Sequence, residues 1–265
     1  MKYRTMFLTV VLLAIFSVTS YAGSEVELTV SAAISLKNAF ERIGRLFEAS
    51  HKGVKVVYNF GASGSLARQI EGGAPVDVFA SAAAKDMDDI EGKGFVVSGT
   101  RVNFAGNSVV LITPASGGVK IDSFNDLKLA KVKKVAIGNP RTVPAGRYAQ
   151  EALNSYKVLP APATVRSELD ITDKLILAEN VRQVLDYVAM GEVDAGVVYL
   201  TDAMTRAKEV KIVSTASTES HKPVVYPIAA VKETKNEKLA IEFIKTVTSE
   251  AGQGILKEYG FTTTK

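Results

Sequence analysis

The sequence contains no cysteine, and only two histidines, His51 and His221, in 265 residues. Without thiols there is no disulfide framework and no attachment point for a lipid at a processed N-terminus. The fold must therefore be held by its core, and 47% hydrophobic residues are enough for that. The two histidines lie in polar, loop-like contexts without metal-ligand spacing, so surface positions are expected for both. Charge of one sign is also scarce. The formal net charge is +4, too little for a basic patch of the kind that holds nucleic acid. Long apolar runs are absent apart from residues 6–16, a stretch too short to span a bilayer. No internal repeat and no low-complexity tract interrupts the chain.

That one apolar run follows Met1-Lys2-Tyr3-Arg4 and leads to Ser20-Tyr21-Ala22. A basic start, a short apolar core and a small-x-small end describe a secretory signal peptide, with cleavage expected near Ala22. Removing residues 1–22 takes away Lys2 and Arg4 and no acidic residue. The remaining 243 residues carry 30 basic and 28 acidic side chains, a net charge of +2. A soluble, non-lipidated product in the periplasm is expected.

Residues 54–70, VKVVYNFGASGSLARQI, are the most informative stretch. Val54, Val56, Val57, Tyr58 and Phe60 predict a strand, Gly61 to Ser65 a turn, and Leu66, Ala67 and Ile70 one face of a helix. In such a layout the unpaired amides of a helix start face an anion. Residues 30–36, VSAAISL, repeat the arrangement around Ser35. Two hydroxyl-bearing helix starts with almost no basic neighbour point to capture of an anion by neutral donors. On the residues alone, Ser63 as a plain helix cap and Tyr199 as a core or rim side chain remain open alternatives. The spacing of the glycines rules out a G-x-S-x-G nucleophile turn.

Elsewhere short strands alternate with helices, predicting an α/β fold with largely parallel sheets. Strands are expected near Val26 to Val30, Val76 to Ala80, Val109 to Ile112, Val135 to Gly138, Val193 to Tyr199, Lys211 to Val213 and Val224 to Val231. Leu36, Phe40, Ile43 and Phe47 mark one buried helix face, and Val181, Val184, Leu185 and Val188 another. Ser123 with Asp126 reads as a helix start. Asp86, Asp88 and Asp89 read as a solvated helix face, as do Lys131, Lys133 and Lys134. A short helix after Val96 and long strands near Phe104 and Val225 allow two chain crossings. Two lobes follow, residues 23–105 plus 225–265 and residues 106–224, with a ligand cleft between them.

The segments VSAAISL, FGASGSLARQIEGGAPVDVFASA, GNPRTVPAGRYAQEAL, AENVRQVL, GVVYLTDA and HKPVVYPIAAV together resemble the periplasmic molybdate-binding proteins of ABC transporters. The resemblance runs from about Val26 to Phe261, and LARQI, the VPAG turn and the VVY–DA strand end are its most specific parts. It implies a two-lobed periplasmic binding protein fold of the type II kind, with the ligand cleft between lobes joined by a two-crossing hinge. It places the oxyanion contacts on Ser35 and Ser63 through hydroxyl and backbone N–H, on Ala145 and Val181 through backbone N–H, and on Tyr199 through its phenol. Gly61, Ala62 and Gly64 replace residues that are often serine in relatives, a change expected to loosen that loop. Asn180 stands where an acidic residue is common, and residues 160–177 align poorly.

The implied function is a binding protein and not an enzyme. It would take molybdate, and tungstate with it, and deliver it to a membrane permease. No cofactor, no bare metal ion and no nucleic acid are expected, and the chain is expected to be a monomer. Without a Walker sequence, the energy for transport must come from a partner. None of the five contact residues is a carboxylate, so a protonated oxyanion such as hydrogen phosphate would set donor against donor. Sulfate is a full dianion and only cavity size separates it, so a carrier of sulfate or another tetrahedral oxyanion is the alternative. A secreted hydrolase using Ser63 with a histidine, and a regulator's effector domain, are the competing classes.

Overall fold

The computed structural model describes residues 25–159 and 171–263. The signal-peptide reading and residues 160–170 of the poorly aligned segment lie outside them. From the first described residues the chain behaves as its apolar pattern requires. Val26–Ala33 forms β1, exposed at its start and buried at its end. A single 3-10 turn, Ile34–Leu36, turns it into α1, Lys37–Ser50, which buries Ala39, Phe40, Ile43 and Phe47 on one stripe. β2 (Val54–Gly61), α2 (Ser63–Glu71), β3 (Val78–Ala80), α3 (Ala84–Gly92) and β4 (Val102–Gly106) follow. The chain then passes to β5 (Val109–Pro114), β6 (Val135–Gly138), α4 (Pro144–Ser155), β7 (Leu175–Ala178), α5 (Val181–Ala189), β8 (Ala195–Tyr199), α6 (Leu200–Thr205) and β9 (Val210–Thr215). It returns through β10 (Val225–Ala230), α7 (Glu237–Thr248), α8 (Glu250–Glu258) and β11 (Thr262–Thr263).

These strands make two sheets. One has the order β11-β4-β10-β3-β1-β2 and the other β7-β6-β8-β5-β9. The chain crosses between them twice, between Gly106 and Val109 and between Thr215 and Val225. This is a two-lobed α/β architecture. The sheets are mixed, however, not largely parallel. β1 is parallel to β2 and β3, and β6 to β7 and β8, while β10, β4, β11, β5 and β9 all join antiparallel. The crossing strands cause the difference: a chain that leaves one sheet and re-enters it must run against the βαβ units already there.

Other expectations need correction. No helix follows Val96; that residue makes an isolated bridge to Val231, and a turn leads into β4. Ser123 and Asp126 form a reciprocal capping box, but the helix they start is a 3-10 turn, Phe124–Lys128. Within the poorly aligned segment, a 3-10 turn at Thr172–Lys174 leads into β7, a strand not anticipated from its sequence. The last helices return to the first lobe, where Phe243 of α7 meets Phe40 and Phe47 of α1 edge-on, with ring centroids 6.0 and 5.4 Å apart. Among the described residues no helix is long and apolar enough to cross a membrane.

Candidate functional site

The parallel strands set the site. In open α/β sheets, ligands bind beyond the carboxyl ends of the strands, where helix starts converge. Here β1 ends before Ser35, β2 before Ser63, β3 before Ala82, β6 before the loop to Ala145, and β7 before Val181; β8 ends on Tyr199. All of these residues line one cavity between the two sheets, together with Ala33, Ile34, Gly61, Ala62, Val143 and Pro144. The five residues expected from the sequence are therefore brought together from both lobes. The cavity is narrow, with room for a small ion rather than for a drug-sized ligand. Among the described residues no charged side chain lines it.

The first N–H groups of these helices have no intrahelical partner, as helix geometry requires of a helix start. In α2, Gly64 N–H donates to the Thr142 carbonyl (3.0 Å) and Ser65 and Leu66 N–H to that of Ala62 (2.9 and 3.0 Å). That leaves Ser63, the first helical residue. In α4 the first residue is Pro144, which has no N–H. Gly146 and Arg147 donate back to Val143 (3.0 and 3.2 Å), so Ala145, which lines the cavity, carries the first N–H of the helix. In α5, Asn180 Oδ1 accepts from Gln183 N–H (3.0 Å), a cap that does not use Val181. Ala and Val side chains add nothing to the donor count, which explains how such residues occupy a polar site.

The hydroxyls are buried: Ser35, Ser63 and Tyr199 are 3%, 0% and 1% exposed. Ser63 does not cap its own helix; its Oγ accepts from Ala82 N–H at 3.0 Å. Ser35 Oγ lies 3.0 Å from the Tyr226 phenol. The Tyr199 phenol donates to the Ala82 carbonyl at 3.3 Å, across the cleft. That is long for an O–H···O bond, so the proton is weakly held. Burial, with Tyr226, Tyr148 and Asp202 nearby, raises the Tyr199 pKa well above its ordinary value. It therefore stays a protonated donor.

Positive charge stands close by but is already matched. Arg147, in the first turns of α4, pairs with Asp86 of α3 in the other lobe. Asp86 is 3% exposed, so it is a buried contact between lobes and not part of a solvated face. Burial raises its pKa, with Arg147 opposing. Arg182, beside Val181, pairs with the fully buried Asp202 of α6 and also donates to Asn38 Oδ1 of α1 at 3.0 Å. Two arginines from the second lobe thus each reach the first, and neither presents a free charge to the cavity. Sequence reasoning missed this set, since nothing in the acidic run marks Asp86 as facing a distant arginine.

Gly64 stands at a close contact between the lobes. A Cβ there would lie 2.8 Å from the Thr142 carbonyl oxygen and 3.2 Å from Asp86 Oδ1, so the glycine permits the close approach of the lobes. The histidines differ from expectation as well. His51 stacks on Phe47 (centroids 3.9 Å apart) and lies 3.2 Å from Glu242, while His221 meets the Tyr148 ring edge-on. Neither lines the cavity. Among the described residues no group of three or more His, Cys, Asp or Glu could hold a metal ion. Lys131, Lys133 and Lys134 are exposed, as expected.

Residues 28–262 match the family model described as bacterial extracellular solute-binding protein. The chain is similar to the molybdate-binding protein ModA of Escherichia coli, with 40% identity over 91% of this chain and 90% of that one. It is 38% identical to YvgL of Bacillus subtilis, described as an ABC transporter substrate-binding lipoprotein, over 90% and 87% of the two chains. The solved periplasmic molybdate-binding protein of Azotobacter vinelandii superposes with a TM-score of 0.77 at 25% identity, covering 90% of this chain and all of that one.

Proposed function

This chain belongs to the bacterial extracellular solute-binding proteins, and on that footing we propose that it captures molybdate between its lobes and delivers it to the membrane permease of an ABC transporter. It is a transport protein and not an enzyme. We assign the oxyanion contacts to Ser35, Ser63, Ala145, Val181 and Tyr199. The observation that carries the assignment is their convergence on one small cavity that, among the described residues, no charged side chain lines.

A buried tetrahedral dianion needs its charge spread over many donors. Hydrogen bonds to an ionised group contribute roughly 1.5–3 kcal/mol each. Each helix N-terminus adds about 0.3–1 kcal/mol, more where partly buried. The paired arginines leave the surroundings close to neutral, so the donors and helix ends carry recognition. Ligand bridging the two lobes would favour the closed arrangement and shift a hinge equilibrium towards it. In this reading the lobes are residues 23–105 with 225–265, and 106–224.

Tungstate should be accepted, being nearly the same size and charge as molybdate. Hydrogen phosphate should be rejected, because its proton meets donors only. The chain would work in the periplasm after cleavage near Ala22. YvgL is described as a lipoprotein, whereas this sequence has no cysteine to carry a lipid. Calorimetric titration with molybdate, tungstate, sulfate and phosphate at equal ionic strength tests the reading. Tight one-to-one binding of the first two alone is expected. Sulfate bound as tightly as molybdate would make this a general oxyanion carrier, and silence with all four would refute the assignment.

A further inference from the structure

We propose that Tyr226, held by Asn107 on the first crossing between the lobes, is a positioning and specificity-determining residue. It fixes the Ser35 hydroxyl as a donor into the cavity and thereby excludes protonated anions. The proposal rests on the reading of the cavity as an oxyanion site.

Donor polarity can be followed atom by atom. Asn107 lies between β4 and β5, and its Oδ1 accepts from Ser108 N–H at 2.9 Å. The other end of the side chain is therefore the NH2 group. That group donates to Thr201 Oγ1 of α6 at 2.8 Å and to the Tyr226 phenol oxygen at 3.2 Å. An amide NH2 cannot accept a hydrogen bond, so the phenol proton of Tyr226 cannot point back to Asn107. The remaining partner of that phenol is Ser35 Oγ at 3.0 Å. Tyr226 is 0% exposed. Were Ser35 to donate instead, the phenol proton would be buried without an acceptor, which is the costlier arrangement.

Tyr226 therefore donates to Ser35, and the serine's own proton is left to point into the cavity that Ser35 lines. Ser63 is set in the same way by Ala82 N–H, but there the orienting donor is backbone and invariant to side-chain exchange. At Ser35 the orienting donor is a side chain, and it hangs from the crossing segment. Asn107 also bonds Thr201, two residues after Tyr199, so the network spans both lobes at the hinge. A ligand seen by Ser35 is felt by the crossing, and the crossing in turn sets what Ser35 accepts.

Replacing Tyr226 with phenylalanine keeps its ring among Phe104, Phe261 and Tyr199 and removes one proton donor. Ser35 Oγ then loses the bond that fixes its orientation and can rotate to turn a lone pair towards the cavity. In calorimetric titrations, Tyr226→Phe should raise the molybdate Kd about tenfold, the loss of one modest hydrogen bond. It should also make phosphate at pH 7, silent with the unmodified chain, a measurable competitor. The same titrations are made with Ser35→Ala and with the double variant. If Tyr226 acts through Ser35, Tyr226→Phe adds nothing once Ser35 is alanine. A full additional loss in that background would mean a general structural effect and overturn the proposal, as would unchanged molybdate and phosphate binding in the single variant. Should Tyr226→Phe fail to fold, Asn107→Ala carries the test, with a smaller loss of molybdate affinity and a smaller gain of phosphate binding expected, both absent when Ser35 is alanine. An unmodified chain that ignores molybdate overturns both this inference and the assignment beneath it. An unmodified chain that binds it while the variants show no coupling overturns this inference alone.

Discussion

Gly64→Ala separates what holds each lobe together from what holds the lobes to each other. Gly64 is the second residue of α2, and its N–H bonds the Thr142 carbonyl of the other lobe at 3.0 Å. An added Cβ would sit 2.8 Å from that oxygen, 3.1 Å from Thr142 Cα and 3.2 Å from Asp86 Oδ1. Ordinary contact would require a retreat of about half an ångström, against backbone that cannot rotate away. The hydrogen bond from the Gly64 N–H to the Thr142 carbonyl would lengthen, at about 0.5–1.5 kcal/mol, and residual overpacking adds about 1–3 kcal/mol. A loss near 2 kcal/mol, roughly thirtyfold in Kd, is expected. Within the lobe, where the Asp86 side chain need give by only a few tenths of an ångström, the sign reverses, because alanine in a helix is favoured over glycine by up to about 1 kcal/mol. The ligand-free chain should thus be as stable as before or slightly more so, while molybdate binds more weakly. Calorimetry of both forms and thermal melts without ligand read the two effects apart. An unchanged Kd would refute the argument, and so would a ligand-free chain destabilised as much as binding is weakened.

Three further outcomes are expected. Asp86→Asn leaves Arg147 half-paired at the lobe contact, and ligand release in stopped-flow should quicken about tenfold or more, with little salt dependence because the pair is buried; release at the original rate would show that the pair does not hold the lobes. Ser63→Ala and Tyr199→Phe should each weaken molybdate binding about tenfold or more without changing the circular dichroism spectrum, and unchanged affinity in both would remove them from the site. Burial pushes the Asp202 carboxyl up to about 6, against the opposing pull of Arg182. The folded chain then holds a proton that the unfolded chain has released, so this group's contribution to stability is full below its ordinary value of 3.8 and is lost as pH rises through about 6. Asp202→Asn should flatten the melting temperature of the ligand-free chain across that window, and an unaltered slope would assign the pH dependence to other groups.

What could be read from the residues was what depends on near neighbours. Strand and helix periodicity located β1, β2, α1, α2 and α5, because apolar side chains at spacings of two or of three and four must face a core. The helix starts at Ser63, Ala145 and Val181 were legible for the same reason, since turn residues precede them. β7 was not legible: Leu175 to Ala178 is mostly exposed apart from Ala178, so its pattern carries no burial signal. It nevertheless delivers Val181 to the cavity.

Chemistry of the donors, then, was settled locally: serines and small residues at helix starts, with no thiol in the chain to substitute for them. Tertiary structure decided how those donors combine. Only the two crossings bring the carboxyl ends of β1 and β2 opposite those of β6, β7 and β8. Only packing puts Asp86 against Arg147 across 61 residues of sequence, sets Gly64 against Thr142, and hangs Ser35 from Tyr226 across 191. Such pairings have no periodic trace in the chain, because they are fixed by how two lobes meet and not by what either segment does alone.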